Sequence, residues 1–310
     1  NPELMGIKNF QNDVTIQSYW GINQSWISYY SLVIAANNAL IELDNFAEKI
    51  PVSNAADIKL NRQYKAEVRF LRAYAHLMVS RLFGNVPILI DSDNIGRLAT
   101  IQKSTVAEVR QFIIDEMNAC SEDLEDARPN QSKHIGAVTK YSALLLKAKA
   151  AADLAGNDNG SAHRNDVLDA TNKIIASGRF SLYPNYYELF KIPGKLSNES
   201  IFELQYSDFG LGTGDIVRPG VDWGTFFKWQ GPSGDQKGSP ISGAGWVPPS
   251  QNIVDFLTNR GETERLKTTI LYCGVDGNPA TTSLTPSGDV VYGNPFGVKY
   301  FNGKAYLPKS

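Results

Sequence analysis

Apolar residues recur at spacings of three and four along much of the first 180 residues, which is the periodicity of amphipathic helices. The strongest stripe runs over 70–82, where the polar side chains of Glu67, Arg69 and Arg72 mostly fall on other faces. Similar stripes predict four further helices, around 27–41, 109–124, 138–155 and 167–175. Five helices joined by short polar links favour antiparallel pairs packed side by side, as in an α-solenoid.

Local signals predict where these helices begin and end. Thr105 and Glu108 have the spacing of a capping box, in which each side chain accepts a hydrogen bond from the backbone amide of the other residue. Gly84, Gly156 and Gly178 follow three of the apolar stripes, as expected for residues that end helices. The 34-residue signature of tetratricopeptide repeats is not found, so the pairing of the helices is inferred from their lengths.

The composition changes near residue 180. Beyond it Gly, Pro, Ser and aromatic residues dominate, although the alternation at 201–206 predicts a short strand and 253–257 predicts a helical turn or two. We therefore divide the chain into a helical scaffold, 1–180, and a loop-rich ligand-binding region, 181–310. The aromatic content of the second region favours ordered loops that pack on the scaffold as parts of one domain.

Charge and composition exclude several classes of protein. The sequence has 30 Lys+Arg and 32 Asp+Glu, so it carries no basic surplus and we expect no nucleic-acid partner. No apolar run approaches the roughly 18 residues of a membrane-spanning helix. Cys120 and Cys273 are too far apart for a CxxC pair. The three histidines form no metal-binding motif, so we expect structural or surface roles for them, with no metal and no cofactor.

Aromatic side chains in the loop-rich region are the best candidates for ligand binding. Three of the five tryptophans lie between 223 and 246, surrounded by Gly, Pro and Ser. An indole face can stack on the C–H face of a sugar while neighbouring polar side chains bond its hydroxyls. The candidate ligand-binding residues are Trp20, Asn23, Trp223, Phe227, Trp229 and Trp246. Alternatively, the tryptophans hold long loops against the helices, and the sequence leaves both interpretations open.

Several motifs occur in an order that is typical of one family. AEVRFLRAY at 66–74 lies ten residues before GNVPI at 84–88, and TVAEV at 105–109, GAVTKYSALL at 136–145 and NESIFE at 198–203 follow. Over roughly residues 20 to 265 the chain thereby resembles the SusD/RagB family, the surface glycan-binding lipoproteins of the Bacteroidetes. We interpret Arg69 and Arg72 within the first motif as structural residues that bond helix ends or loop carbonyls.

The resemblance implies a mainly α fold, in which a tetratricopeptide-like scaffold of helix pairs carries a loop-rich, partly β ligand-binding layer. It also implies a non-enzymatic outer-membrane protein of the cell surface. Such a protein captures oligo- or polysaccharides and delivers them to a SusC-like TonB-dependent transporter barrel in nutrient uptake.

Family members have an N-terminal lipid anchor, which we expect to lie outside this chain, and C-terminal helices, which we expect beyond Ser310. The domain would then be truncated at both ends. Because the family's binding positions vary with the ligand, the resemblance assigns no site residue firmly.

Two other classes of function remain open from the residues. A glycoside hydrolase built on helix pairs would need two carboxylates, either about 5 Å or about 6.5–9.5 Å apart. A helical-repeat scaffold that binds protein would need an apolar groove along its helices.

Overall fold

The computed structural model describes residues 20–90, 100–190, 192–205, 250–272, 283–284, 290–291 and 300–302. The chain divides into two compact units. The helical unit comprises 1–181 and 198–203, and the second unit comprises 182–197 and 204–310.

Five α-helices build the described part of the helical unit. They are α1 (Trp20–Ala47), α2 (Ala55–Phe83), α3 (Val106–Cys120), α4 (Lys140–Ala155) and α5 (His163–Ala176). Each helix packs against the next one along the chain, which is the arrangement expected of stacked helix pairs. The predicted mainly helical fold is confirmed. Among the described helices, none combines the length and the hydropathy needed to cross a bilayer.

The predicted helix ends are present. Thr105 Oγ1 accepts from the Glu108 amide at 3.2 Å, and Glu108 Oε2 accepts from the Thr105 amide at 2.7 Å, so the capping box opens α3. Gly84 follows α2 with a φ of 73°, and its amide donates to Ser80 O at 2.9 Å. This left-handed conformation is one that glycine adopts at little steric cost, which explains why α2 ends there.

The core of the helical unit lies along the packed faces of α1 to α4. Its largest fully buried side chains include Val33 of α1, Phe70 and Leu77 of α2, and Ile113 and Met117 of α3. A smaller cluster joins the last two helices, and its members are Tyr141, Leu144, Ala148, Ala170 and Ile174. The alanines of α4 let its neighbours approach closely, as the sequence indicates.

A strand over 201–206 is not present in the described part, 201–205, so that prediction is wrong there. Ser142 Oγ of α4 instead donates to Ile201 O at 3.0 Å. The Phe202 ring packs edge-on against Phe70, with 5.0 Å between centroids, and also contacts Tyr74. Side chains of the helices thus hold Ile201 and Phe202, whereas Leu204 is exposed.

The second unit contains short elements in its described part. The helices are α6 (Gln251–Asn259) and α7 (Thr263–Thr269), and single 3₁₀ turns lie at Glu188–Phe190 and Ile192–Gly194. Strands β1 (Ile270–Tyr272) and β4 (Tyr300–Asn302) pair antiparallel, as do β2 (Ser283–Leu284) and β3 (Val290–Val291). The helical turns predicted at 253–257 are confirmed by α6.

Candidate functional site

The predicted aromatic site lies mainly outside the described residues. Trp223, Phe227, Trp229 and Trp246 all fall between 206 and 249, which the structure does not describe. Trp20 is the first residue of α1, and Asn23 is exposed one turn further along. Ligand binding by these six residues therefore stays a prediction.

A polar cleft of about 650 Å³ lies within the helical unit, lined by residues of α1, α2 and α3. Its lining contains the four cations Arg62, Lys65, Arg69 and Arg72 together with three carboxylates. Such a concentration of charge around a cavity of this size makes the cleft the candidate site in the described part of the chain.

The floor of the cleft is one carboxylate shared by two guanidinium groups. Glu116 Oε1 accepts from Arg69 Nη2 at 2.8 Å, and Oε2 accepts from Arg69 Nε at 3.1 Å and from Arg72 Nη2 at 2.9 Å. Arg72 Nη1 also donates to Asn37 Oδ1 at 2.9 Å and to Ile90 O at 3.0 Å. The expected bond from an arginine to a loop carbonyl is confirmed for Arg72, whereas Arg69 binds Glu116.

Burial makes this ion cluster electrostatically strong. The Arg72 and Glu116 side chains are only 7% and 11% exposed. Burial alone would raise the pKa of Glu116, but hydrogen bonds from Arg69 and Arg72 and their positive charges outweigh it and hold the pKa below its usual value. The Glu116 carboxylate is therefore ionised at neutral pH and ties α3 to α2.

Two ion pairs form the rim of the cleft. Lys65 Nζ lies 2.6 Å from Asp44 Oδ1, and Arg62 Nη2 pairs with Asp123 Oδ1. The Asp44 and Arg62 side chains are 71% and 65% exposed, so solvent screens both pairs. Each rim pair is neutral overall and contributes little to stability.

The segment that follows α2 is fixed by buried hydrogen bonds. His76 Nε2 accepts from the Leu89 amide at 3.2 Å, while Nδ1 lies 2.8 Å from Arg72 O. Tyr30 donates its hydroxyl to Pro87 O at 2.8 Å. Burial lowers the pKa of His76 to about 4, so the ring is neutral, with Nδ1 as donor and Nε2 as acceptor. The predicted structural role is confirmed for His76.

Two carboxylates elsewhere in the helical unit, Glu67 and Glu125, share one hydrogen-bond donor. Gln63 Nε2 donates to Glu67 Oε1 at 3.0 Å and to Glu125 Oε1 at 3.2 Å. Burial raises the pKa of Glu67, with the charge of Glu125 acting in the same direction and the hydrogen bond from Gln63 opposing them. Neither carboxylate lines the cleft, and Glu125 Oε2 also accepts from the Lys133 amide. These bonds fit a role in holding helices together.

The described residues contain no cluster of three His, Cys, Asp or Glu side chains able to hold a metal ion. Asp158, in the loop between α4 and α5, accepts a hydrogen bond from the Gly160 amide through Oδ1 at 2.8 Å. Cys120 is buried at the cleft, and burial raises its pKa to about 12. Its thiol is therefore protonated.

Comparison with known proteins gives consistent matches. A SusD-like family model, described as "Starch-binding associating with outer membrane", matches residues 3–148. A SusD-like protein of Bacteroides ovatus is 24% identical over 193 residues, which are 61% of this chain and 34% of that protein. One from Formosa agariphila is 22% identical over 195 residues, 63% of this chain and 34% of that protein. The match thus spans about a third of each curated relative's length.

Solved structures share the fold. A laminarin-binding SusD-like protein superposes with a TM-score of 0.70 at 20% identity, covering 92% of this chain and 58% of its own. Surface glycan-binding protein A from Bacteroides thetaiotaomicron, in complex with laminarihexaose, gives a TM-score of 0.68 at 21% identity, covering 91% and 56%. The resemblance to the SusD-like family is confirmed. The helix pairs are thus features of a SusD-like fold.

Proposed function

We propose that this chain is part of a cell-surface protein that captures oligo- or polysaccharides and delivers them to a TonB-dependent transporter of the outer membrane. The observation that carries the proposal is the SusD-like fold, shared with solved structures whose names record glycan, laminarin and laminarihexaose binding. The family model's description, which joins starch binding to the outer membrane, supports the location. A lipid anchor outside this chain would hold the protein there.

Binding in this proposal is passive. Trp223, Phe227, Trp229 and Trp246 would supply flat apolar faces on which sugar rings stack, and polar side chains of the same loops would bond the hydroxyls. Stacking of this kind breaks no covalent bond, so the proposal requires neither a cofactor nor a catalytic residue. Trp20 and Asn23 would form a smaller second contact.

Calorimetric titration of the intact protein with a panel of neutral oligosaccharides tests this proposal. We expect at least one sugar to bind, and Trp223→Ala or Trp246→Ala to weaken it by about 1 kcal/mol or more, because each removes a stacking face. Phe46→Ala is the matched control, since Phe46 is an exposed aromatic residue at the end of α1. Sugar binding that neither tryptophan variant weakens would overturn the proposed site.

Two outcomes would favour the other classes of function. Shortened sugar products in the titrated solution would support a glycoside hydrolase. Failure of every sugar to bind, combined with capture of a protein partner by the helices, would support a helical scaffold.

A further inference from the structure

We propose that the cleft between α1, α2 and α3 binds a small ligand carrying one carboxylate, with Arg69 and Arg72 as its counter-charges. The cleft lies wholly within the helical unit. The inference therefore does not rest on the proposed glycan site, whose residues Trp20, Asn23, Trp223, Phe227, Trp229 and Trp246 are not among those that line the cleft. It rests on an excess of positive charge at the floor of the cleft, on a donor of Arg69 without an acceptor, and on the shape and lining of the cleft.

Among the described residues, the floor of the cleft carries one more positive charge than negative. Arg69 and Arg72 share the single carboxylate of Glu116, whereas each rim cation has a carboxylate of its own. The Cys120 thiol beside them is protonated and contributes no negative charge. A largely buried charge without a counter-charge is costly, and an anion in the cleft would relieve that cost.

One guanidinium group still has a donor to offer. Arg69 binds Glu116 through Nε and Nη2, and within the described part of the chain its Nη1 makes no hydrogen bond. The Arg69 side chain is 30% exposed and lines the cleft, so a ligand can reach it. Arg72 Nε also has no hydrogen-bond partner among the described residues, but it is fully buried and lies beyond a ligand's reach. Guanidinium donors suit a carboxylate in particular.

The remaining lining limits the rest of the ligand. Leu40 and Ile41 of α1 and Ala66 of α2 contribute apolar surface beside the charged floor. A volume of about 650 Å³ accommodates a six-membered sugar ring together with its substituents. A hexuronate, which joins one carboxylate to a ring with apolar C–H faces, therefore fits both parts of the cleft.

Calorimetric titration with sodium glucuronate tests the proposal, with glucose as the neutral sugar of matched shape and sodium acetate as the carboxylate without a ring. We expect glucuronate to bind, acetate to bind more weakly than glucuronate, and added sodium chloride to weaken the binding of glucuronate. Any binding of glucose should be unaffected by Arg69→Gln, because a neutral sugar gains nothing from the surplus charge. Arg69→Gln removes the surplus charge and should weaken glucuronate binding about tenfold or more. Arg81→Gln is the control, because Arg81 makes the same two-bond ion pair with Asp153 outside the cleft.

A second variant acts in the opposite direction. Asp123→Asn removes a rim carboxylate, so it should tighten glucuronate binding about two- to threefold, and this prediction holds even if Arg69→Gln fails to fold. Circular dichroism establishes the folding of each variant. The proposal is overturned if glucuronate does not bind, or if glucose binds as tightly with the same dependence on Arg69. It is also overturned if Arg81→Gln weakens glucuronate binding as much as Arg69→Gln, or if Asp123→Asn weakens it.

Discussion

Arg72 Nη2 donates a 2.9 Å hydrogen bond to Glu116 Oε2, across 44 residues of sequence and between two neighbouring helices. The same arginine holds Asn37 of α1 and the Ile90 carbonyl that follows α2. One buried side chain thus joins three helices and a loop. The stability of the helical unit, and the shape of the cleft above it, both depend on this contact.

Replacing Glu116 with alanine should strongly destabilise the helical unit. The variant leaves Arg69 and Arg72 without their carboxylate, and Arg72 is almost fully buried. We expect the free energy of unfolding to fall by about 3 kcal/mol, measured by urea titration.

Glu122→Ala is the control for Glu116→Ala. Glu122 pairs with Lys140 at 2.8 Å, but its side chain is 77% exposed, so we expect a loss below about 1 kcal/mol. Equal losses in the two variants would show that the Glu116 cluster has no special role.

Acidification below pH 6.5 should destabilise the protein through His76. Burial lowers the pKa of the folded-state ring to about 4, whereas the unfolded chain titrates near 6.5. The unfolded state therefore binds more protons between these values, and stability falls by about 3 kcal/mol as the pH drops from 6.5 to 4. Urea titrations at pH 7 and pH 5 measure the first part of this loss.

His76→Gln isolates that effect, because glutamine does not ionise. The variant should be less stable than the wild type at pH 7, since it alters the bonds to Arg72 O and the Leu89 amide. At pH 5 the difference in the free energy of unfolding between the wild type and His76→Gln should be smaller by about 2 kcal/mol. His134 is exposed, so His134→Gln is the control for loss of an imidazole. If the difference in stability between His76→Gln and the wild type stays constant with pH, the account is contradicted.

Thr105→Ala should destabilise the protein through α3. The variant removes the side-chain oxygen that accepts from the Glu108 amide and leaves that donor without its cap. We expect a loss of about 1 kcal/mol in thermal or urea unfolding. Ser250→Ala is the comparison, because Ser250 precedes α6 without a side-chain capping bond. Its replacement should leave the free energy of unfolding almost unchanged.

Glu67→Gln should stabilise the protein at neutral pH. The raised pKa of Glu67 means that folding favours the protonated form, so this group's contribution to stability is lost as the pH rises through its folded-state pKa. A neutral amide keeps an acceptor for Gln63, and we expect a gain below about 1 kcal/mol at pH 7 that disappears near pH 4. Exposed Glu48→Gln is the control, and a loss of stability at pH 7 in Glu67→Gln would refute this assignment.

The helices were predictable because their signals are local. Gly84 and the Thr105–Glu108 pair act on backbone groups within a few residues, and apolar periodicity identified the buried faces. The strand expected at 201–206 failed for the opposite reason. Ile201 and Phe202 are held by contacts with distant helices, which a pattern within six residues does not reveal.

The charged floor of the cleft was not found from the sequence. One signal was available, since Glu116 lies between Ile113 and Met117 on the apolar face of α3, and a carboxylate at such a position needs a buried cation. The sequence could not identify Arg69 and Arg72 as its partners, because helix packing determines which distant side chains meet. The aromatic residues of 206–249 were proposed from chemistry alone and stay predictions.

Glycan retention by the intact protein tests the central claim most directly. The protein is offered a mixed panel of oligosaccharides, washed and eluted, and the eluted sugars are compared in chain length with those applied. Capture without catalysis predicts that the protein retains at least one glycan and that this glycan is recovered at its original length. The Trp223→Ala or Trp246→Ala variant should retain less of the same glycan. No retained glycan, or recovery only of shortened sugars, would contradict the account.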